Sequence, residues 1–174
     1  MRFRSLNLFM EKKVQNLEIK KIEKIVVNIG LGKLRANAQF DDKILPEVMR
    51  ESALITGQKP ALRKAKKSIA SFKTRTGDVI GLQITLRGKR MADFLKRSLN
   101  VVFPRVKDFR GLELKGVDGN GNLNVGFKEQ FAFPEINIEQ SKVNFGLQIT
   151  IVPRIRNRTK AIDLYRSLGI PFKR

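Results

Sequence analysis

Between residues 59 and 90 the chain sets ten cations against a single acid, Asp78. Lys59, Arg63, Lys64, Lys66, Lys67, Lys73 and Arg75 precede that acid, and Arg87, Lys89 and Arg90 follow it. The chemistry such a cluster can perform is neutralisation of phosphate. Crowded like charges repel one another and cost folding stability, so a polyanion is expected to supply the missing negative charge. The window carries nine of the twenty net positive charges of a 174-residue chain, which makes nucleic acid the first partner to consider.

Other chemistry is poorly provided for. The sequence holds no His and no Cys, which removes the commonest general base, the commonest metal ligand and the thiol nucleophile. Enzymatic activity is therefore not expected, and neither is a cofactor or a bound metal. Nucleotide-binding motifs fail on inspection. Gly81 to Lys89 ends in a Gly-Lys pair, but six residues separate the two glycines and Arg90 stands where a Ser or Thr belongs. Gly30-Leu31-Gly32 has Arg35 in place of the third glycine of a dinucleotide fingerprint. Asp118-Gly-Asn120-Gly-Asn122 faintly suggests a calcium loop, yet Leu123 takes the position of its required glycine and begins a strand. A tight Asp-Gly, Asn-Gly turn is sufficient there.

Two segments outside regular structure are candidates for anion contact. Residues 66–77 keep neither helical nor strand period, lie between two strands and are longer than a hairpin turn needs, so an exposed arm is expected. Its Lys and Arg suit phosphates, and Phe72 suits either stacking on a base or anchoring the arm, the second being the commoner role. The other segment places Arg154, Arg156, Arg158 and Lys160 at the start of the last helix, where the helix dipole disfavours cations. Free amides and clustered Arg there suggest an anion site, with a tolerated solvated cluster as the equal alternative.

These residues need a scaffold, and period-two alternation provides one. Ile25, Val27, Ile29 and Leu31 share a face opposite Val26, Asn28, Gly30 and Gly32; Leu82, Ile84 and Leu86 oppose Gln83, Thr85 and Arg87. Leu123, Val125 and Phe127 oppose Asn122, Asn124, Gly126 and Lys128, while Phe145, Leu147, Ile149 and Ile151 oppose Gly146, Gln148 and Thr150. Pro60 to Lys64 adds a candidate edge strand. Helical spacing predicts a helix through Ile44, Leu45, Val48 and Met49, with Asp41 or Asp42 as N-cap and Gly57 as stop. A second helix runs through Met91, Phe94, Leu95, Leu99 and Val102 until Pro104 ends it. A third joins Ala161, Leu164, Tyr165 and Leu168 before Gly169 and Pro171.

The expected fold is α+β: a mostly antiparallel sheet with helices on its apolar face and the other face open. A hydrophobic content of 41% supports a folded chain rather than a basic tail, and a single domain over residues 1–174 is expected. Within it, residues 1–20 form an N-terminal helix or extension and residues 66–80 a protruding basic loop. No apolar run approaches the roughly 18 to 20 residues of a membrane span. The open face offers Asn28, Gly30, Gln83, Thr85, Gln148 and Thr150 rather than Lys and Glu. Amides and hydroxyls both donate and accept, as ribose and base edges require, and glycine admits a close backbone. A merely hydrated face is the equal alternative until the cations beside it are counted; then RNA is favoured.

At this point the chain resembles the bacterial-type large-subunit ribosomal protein five family, which binds 5S ribosomal RNA in the central protuberance. The matching strings run in order through nearly its whole length. They are Ile25-Val-Val-Asn28-Ile-Gly30-Leu-Gly32, Thr56-Gly-Gln58-Lys59-Pro60, Lys64-Ala-Lys66-Lys67-Ser68-Ile-Ala-Ser-Phe72-Lys73-Thr-Arg75 and Ile84-Thr85-Leu86-Arg87-Gly88-Lys89-Arg90-Met91. Further on come Pro104-Arg105-Val-Lys107-Asp108-Phe109-Arg110-Gly111-Leu112, Asp118-Gly-Asn-Gly121-Asn122, Glu129-Gln130-Phe-Ala-Phe133-Pro134-Glu135-Ile136 and Leu168-Gly-Ile-Pro171-Phe172.

The resemblance implies a structural role in translation, with 5S ribosomal RNA and large-subunit ribosomal RNA held on the open face and its rim. Combined with the reading of the residues, it nominates Asn28, Gly30, Gly32, Gln58, Lys59, Pro60, Arg63, Lys64, Lys66, Lys67, Ser68, Gln83, Thr85 and Arg87 for ribosomal RNA. It implies that a loop from Ser68 to Gly81 reaches peptidyl-site tRNA, through Phe72, Lys73, Thr74, Arg75, Thr76 and Gly77. Segments near Phe109 to Leu112 and Pro134 to Lys142 are implied contacts with a head protein of the small subunit, besides neighbouring large-subunit proteins. The implied location is a ribosome, in a bacterial cytoplasm or alternatively an organelle, with no membrane partner. The basic stretch from Arg154 to Lys160 departs from the family pattern, in which relatives often carry acids there; in the loop Ser71 stands where glycine is common, and Val79-Ile80 replaces a frequent aromatic-proline pair.

Overall fold

Alternating side chains become a five-stranded, wholly antiparallel sheet in the computed structural model, which describes residues 18–72, 74–107 and 109–173, with Phe72 described in its backbone only. The extension before residue 18, Lys73, and the Phe72 side chain lie outside the described residues. In chain order the elements are β1 (Ile22–Gly30), α1 (Leu45–Thr56), β2 (Ala61–Lys64), β3 (Val79–Leu86), α2 (Gly88–Arg97), β4 (Leu123–Phe127), β5 (Leu147–Pro153) and α3 (Arg158–Ser167). The strands lie side by side as β2-β3-β1-β5-β4, so β1 is central and β2 and β4 are edges.

Register explains why one face is apolar. Ile25 sits opposite Leu86 on one side and Ile151 on the other, and Ile151 opposite Leu123. One step along, Ile84, Val27, Ile149 and Val125 form the next row. All eight are buried, and α1, α2 and α3 add Val48, Ile55, Phe94, Leu95, Ala161, Leu164 and Tyr165 to the same core. Phe94, Phe103, Phe127 and Phe133 extend it with ring centroids 5.5–6.2 Å apart. The fully buried Tyr165 hydroxyl donates to the Gly121 carbonyl at 2.7 Å and the Ile151 carbonyl at 3.1 Å, tying α3 to the sheet. Burial pushes its phenol pKa upward.

The edge strand expected from Pro60 to Lys64 is present, and Gly57 ends α1 in the left-handed region with φ +68°. Two expected helix limits are wrong. Neither Asp41 nor Asp42 caps α1, because the chain is already helical there: Phe40–Ile44 form a π turn that runs straight into the helix. The two acids occupy its first turn, where they face the positive end of the dipole without a side-chain bond. Pro104 does not end the second helix either. After α2 a π turn, Ser98–Val102, leads into a short helical turn, Phe103–Arg105, with Pro104 in its opening positions, where a missing N–H costs nothing. The chain turns extended only at Val106. Among the described residues no helix is long and apolar enough to cross a membrane.

Candidate nucleic-acid interface

The same register that aligns the core rows aligns polar rows on the reverse side. Thr85, Val26, Thr150 and Asn124 lie in one row across β3, β1, β5 and β4. Beside it run Gln83, Asn28, Gln148 and Gly126, with Ala61 of β2 continuing the row past Gln83. Gly81 and Gly30 make a third short row that Arg63 extends. None of these residues is buried. A Cβ on Gly30 or Gly126 would meet nothing within 4 Å, which leaves the backbone open to close approach. Gly81 is required for a different reason: a Cβ there would stand 2.9 Å from the Ile29 carbonyl oxygen of the neighbouring strand.

Side chains on this face orient one another. Asn124 Oδ1 accepts from Gln148 Nε2 at 3.2 Å and from Thr150 Oγ1 at 2.7 Å, so its own amide N–H groups remain for another acceptor. Arg63 donates to Gln83 Oε1, which likewise turns the Gln83 amide nitrogen outward. At the rim Gln58 Nε2 donates to the Thr85 carbonyl at 3.3 Å, taking the place beside β3 that β2 leaves empty. The face is a field of fixed donors and acceptors without formal charge, bordered by cations.

Those cations gather at one end. Lys59, Arg63, Lys64, Lys66 and Lys67 are exposed along and beyond β2, and none forms an ion pair among the described residues. Pro60 is buried and serves as their anchor. The arm folds back on itself: Ile69 bridges Thr74, and Ser68 Oγ accepts from the Thr76 amide at 3.0 Å. Arg75, Thr76 and Gly77 are exposed on its returning side, and Gly32 is exposed in the turn after β1. Arg87 follows β3 directly and is exposed at the sheet's opposite end, before α2.

Asp78 holds the base of the arm. Its carboxylate pairs with Arg35 and accepts from the Arg75 amide at 2.5 Å, while its carbonyl takes the Ala65 amide at 2.8 Å. The Arg35 guanidinium, and then the Arg75 amide, hold the Asp78 carboxyl below the usual carboxylate range. A lowered folded-state pKa gives stabilisation that is present above the unfolded pKa and disappears as pH falls through the folded one. The Arg75 amide is therefore expected to be protected from hydrogen exchange at neutral pH and to lose that protection in acid. Asp78→Asn is expected to abolish this pH dependence, which amide-resolved exchange measures directly.

Arg154, Arg156 and Arg158 are not part of this cluster. Arg154 follows Pro153, which pairs with Ile22 at the start of β1, whereas the arm leaves from the Gly30 end, roughly 27 Å away at strand rise. Two of the three are engaged with other parts of the chain: Arg154 Nε reaches the Lys20 carbonyl at 3.2 Å, and Arg158 binds the carbonyls of Val117 and Leu114 at 3.1 and 3.0 Å. Asn157 caps α3 by accepting from the Lys160 amide, which takes up one of the free amides. Arg156 is exposed. Conversely, Asn124, Gln148 and Thr150 complete the polar face yet are absent from the nominated RNA set. Alternation marks all three as polar-side residues; only register shows that they stand in line with Asn28 and Thr85.

Comparison with known proteins assigns the chain to a family over nearly its whole length. A family model described as Ribosomal protein L5 matches residues 16–75, and a second model, described as the C-terminus of the same ribosomal family, matches residues 79–172. Large ribosomal subunit protein uL5 of Spiroplasma kunkelii is 45% identical over 168 residues, covering 96% of this chain and 91% of that protein. Its counterpart in Pseudothermotoga lettingae is 48% identical over 157 residues, 90% of this chain and 84% of the relative. That of Halothermothrix orenii is 44% identical over 156 residues, 90% and 85% respectively. The chain belongs to the uL5 family of large ribosomal subunit proteins, a structural and non-enzymatic family.

Proposed function

We propose that this protein is a structural part of the large ribosomal subunit that binds 5S ribosomal RNA on the open face of its sheet, as one folded unit. The observation that carries the reading is the uncharged polar face, oriented by its own hydrogen bonds and bordered by cations without ion-pair partners among the described residues. Amides and hydroxyls read the ribose and base edges of RNA, while Lys and Arg neutralise phosphates and set the register. The arm from Ser68 to Gly81 then gives sequence-tolerant contact to peptidyl-site tRNA. Phe109 to Leu112 and Pro134 to Lys142 meet the head protein of the small subunit, and other edges meet large-subunit RNA and neighbouring proteins of a bacterial ribosome. The Arg154 to Lys160 stretch, through exposed Arg156, contributes a further anion contact.

A chemical footprint of the purified protein on 5S ribosomal RNA tests this reading. Protection is expected on a confined stretch of the RNA, resistant to competition by duplex DNA. Replacing Asn28 and Thr85 with Ala is expected to weaken that footprint while leaving non-specific binding in place. Equal competition by duplex DNA would instead make the chain a general polyanion binder.

A further inference from the structure

We infer that the cleft between the C-terminal end of α1 and the outer side of α2 receives a single unstacked guanine of bound RNA; this rests on the RNA reading above. The cleft has a volume of about 270 Å³ and is bounded by Thr56, Gly57, Arg90, Asp93, Phe94 and Arg97. That lies below the roughly 300 Å³ at which pockets begin to hold drug-sized molecules, a size that suits one nucleobase. It opens at the rim of the polar face. Gln58, next to Gly57, donates to the Thr85 carbonyl of β3 and accepts from Arg90 Nη1 at 3.4 Å, so the cleft and the sheet share one wall.

Asp93 is the residue that needs an explanation. It is exposed, in a chain of net charge +20, and has no ion-pair partner among the described residues. Arg90 and Arg97 stand three residues before and four after it on the same helix, the spacing at which such pairs normally close. Arg97 is engaged elsewhere, with Nη1 2.6 Å from Glu135 and Nη2 donating to the Ile55 carbonyl at 2.8 Å. A carboxylate beside RNA repels phosphate, so its place in this cleft is unfavourable unless a base donates to it. Guanine presents two adjacent donors on its Watson–Crick edge, N1–H and the N2 amine, matching the two oxygens of a carboxylate. Adenine and cytosine present an amine next to an acceptor, and uracil a lone N–H between two acceptors. Unpaired bases are held in this way by edge hydrogen bonds and by stacking on guanidinium planes, for which exposed Arg90 stands beside the cleft. Gly57 keeps the entrance clear: its φ is +68° and a Cβ there would meet nothing within 4 Å.

The test is fluorescence anisotropy of the full chain with short oligouridine RNAs that carry one central guanosine, adenosine or 1-methylguanosine. The guanosine probe is expected to bind about tenfold tighter than the other two, the discrimination of one bidentate base contact. Asp93→Ala, at an exposed position that leaves the fold intact, is expected to erase that preference by weakening the guanosine probe alone. The adenosine probe is expected to bind as before or slightly tighter, since a negative charge has gone. Equal tightening of all probes in the variant would overturn the inference, making Asp93 only an unfavourable charge. Capture of an Arg-rich peptide in place of RNA, lost in Asp93→Ala, would also overturn it and give the cleft to a protein partner. Salt-sensitive binding without guanine preference defeats this inference alone, whereas no binding of any probe defeats the RNA reading with it.

Discussion

Replacing Lys59, Arg63, Lys64, Lys66 and Lys67 together with Gln is expected to remove most of the salt dependence of RNA binding. Each phosphate neutralised by a cation releases a bound counterion, so affinity falls with salt at a slope close to 0.9 per contact. A protein that neutralises about six phosphates loses roughly a thousandfold in affinity between 50 and 200 mM salt, whereas one left with a single contact loses only about fourfold. The five residues are exposed, so their replacement leaves the core untouched and relieves self-repulsion. The measurement is a salt series of equilibrium titrations against 5S ribosomal RNA. A control variant replaces Lys43, Lys107, Lys115, Lys142 and Arg166, five equally exposed cations scattered elsewhere. If bulk charge alone drove binding, both variants would flatten the slope alike; if the edge of β2 and the arm grip the phosphates, the control keeps the parent's slope.

That separation between a local grip and bulk charge was only partly legible in the sequence. The cations between Lys59 and Arg90 announce themselves as a string, but a string says nothing about direction. Register does: it sends Arg63 to the polar face opposite Gly81 and turns Arg87 to the other end of the sheet. The apolar rows were readable because burial on one face enforces a period of two, and all four long strands followed it. Helix ends were read less well. Asp41 and Pro104 are common cap and stop signals, yet a π turn at each place carries the helix past them, and nothing in the local residue types demands that extra residue. The cluster at Arg154 to Arg158 looked free in sequence because carbonyls that accept from it, at Lys20, Val117 and Leu114, come from distant segments. The Asn124 hub was missed for the same reason: its partners Gln148 and Thr150 lie on another strand.

Long-range polar contacts of this kind also hold the segment that follows β4, and they carry the largest expected effect on stability. Gln130 is fully buried, and its side chain joins three parts of the fold. Oε1 accepts from the Phe145 amide at 3.0 Å, and Nε2 reaches the Val143 carbonyl at 2.6 Å, Ser141 Oγ at 3.2 Å and Glu51 Oε2 of α1 at 3.2 Å. Glu51 is itself only 2% exposed, so water cannot replace a lost donor. Gln130→Leu keeps the volume but orphans the Glu51 carboxyl and the Phe145 amide at once, while the Val143 carbonyl keeps the Ser141 hydroxyl at 3.1 Å. With about 1–3 kcal/mol for each of these two buried groups left unsatisfied, the sum is about 2–6 kcal/mol. At about 2–4 °C per kcal/mol for a chain of this size, thermal unfolding is expected roughly 4–24 °C lower. The double variant Glu51→Leu with Gln130→Leu is expected to recover part of that loss, because removing both partners leaves fewer buried polar groups stranded. Calorimetry on the two variants decides it: a cost below about 1 kcal/mol for Gln130→Leu would reduce the network to an ordinary surface contact. Its position gives the loss a functional side. Residues 134–142 are clamped at their far end by these bonds, and Ile138 within them is 66% exposed, an apolar side chain offered to solvent. Hydrogen exchange at the Phe145 amide, which Gln130 Oε1 holds, is therefore expected to accelerate in Gln130→Leu before the sheet does, loosening the surface that the proposed protein contact needs in place.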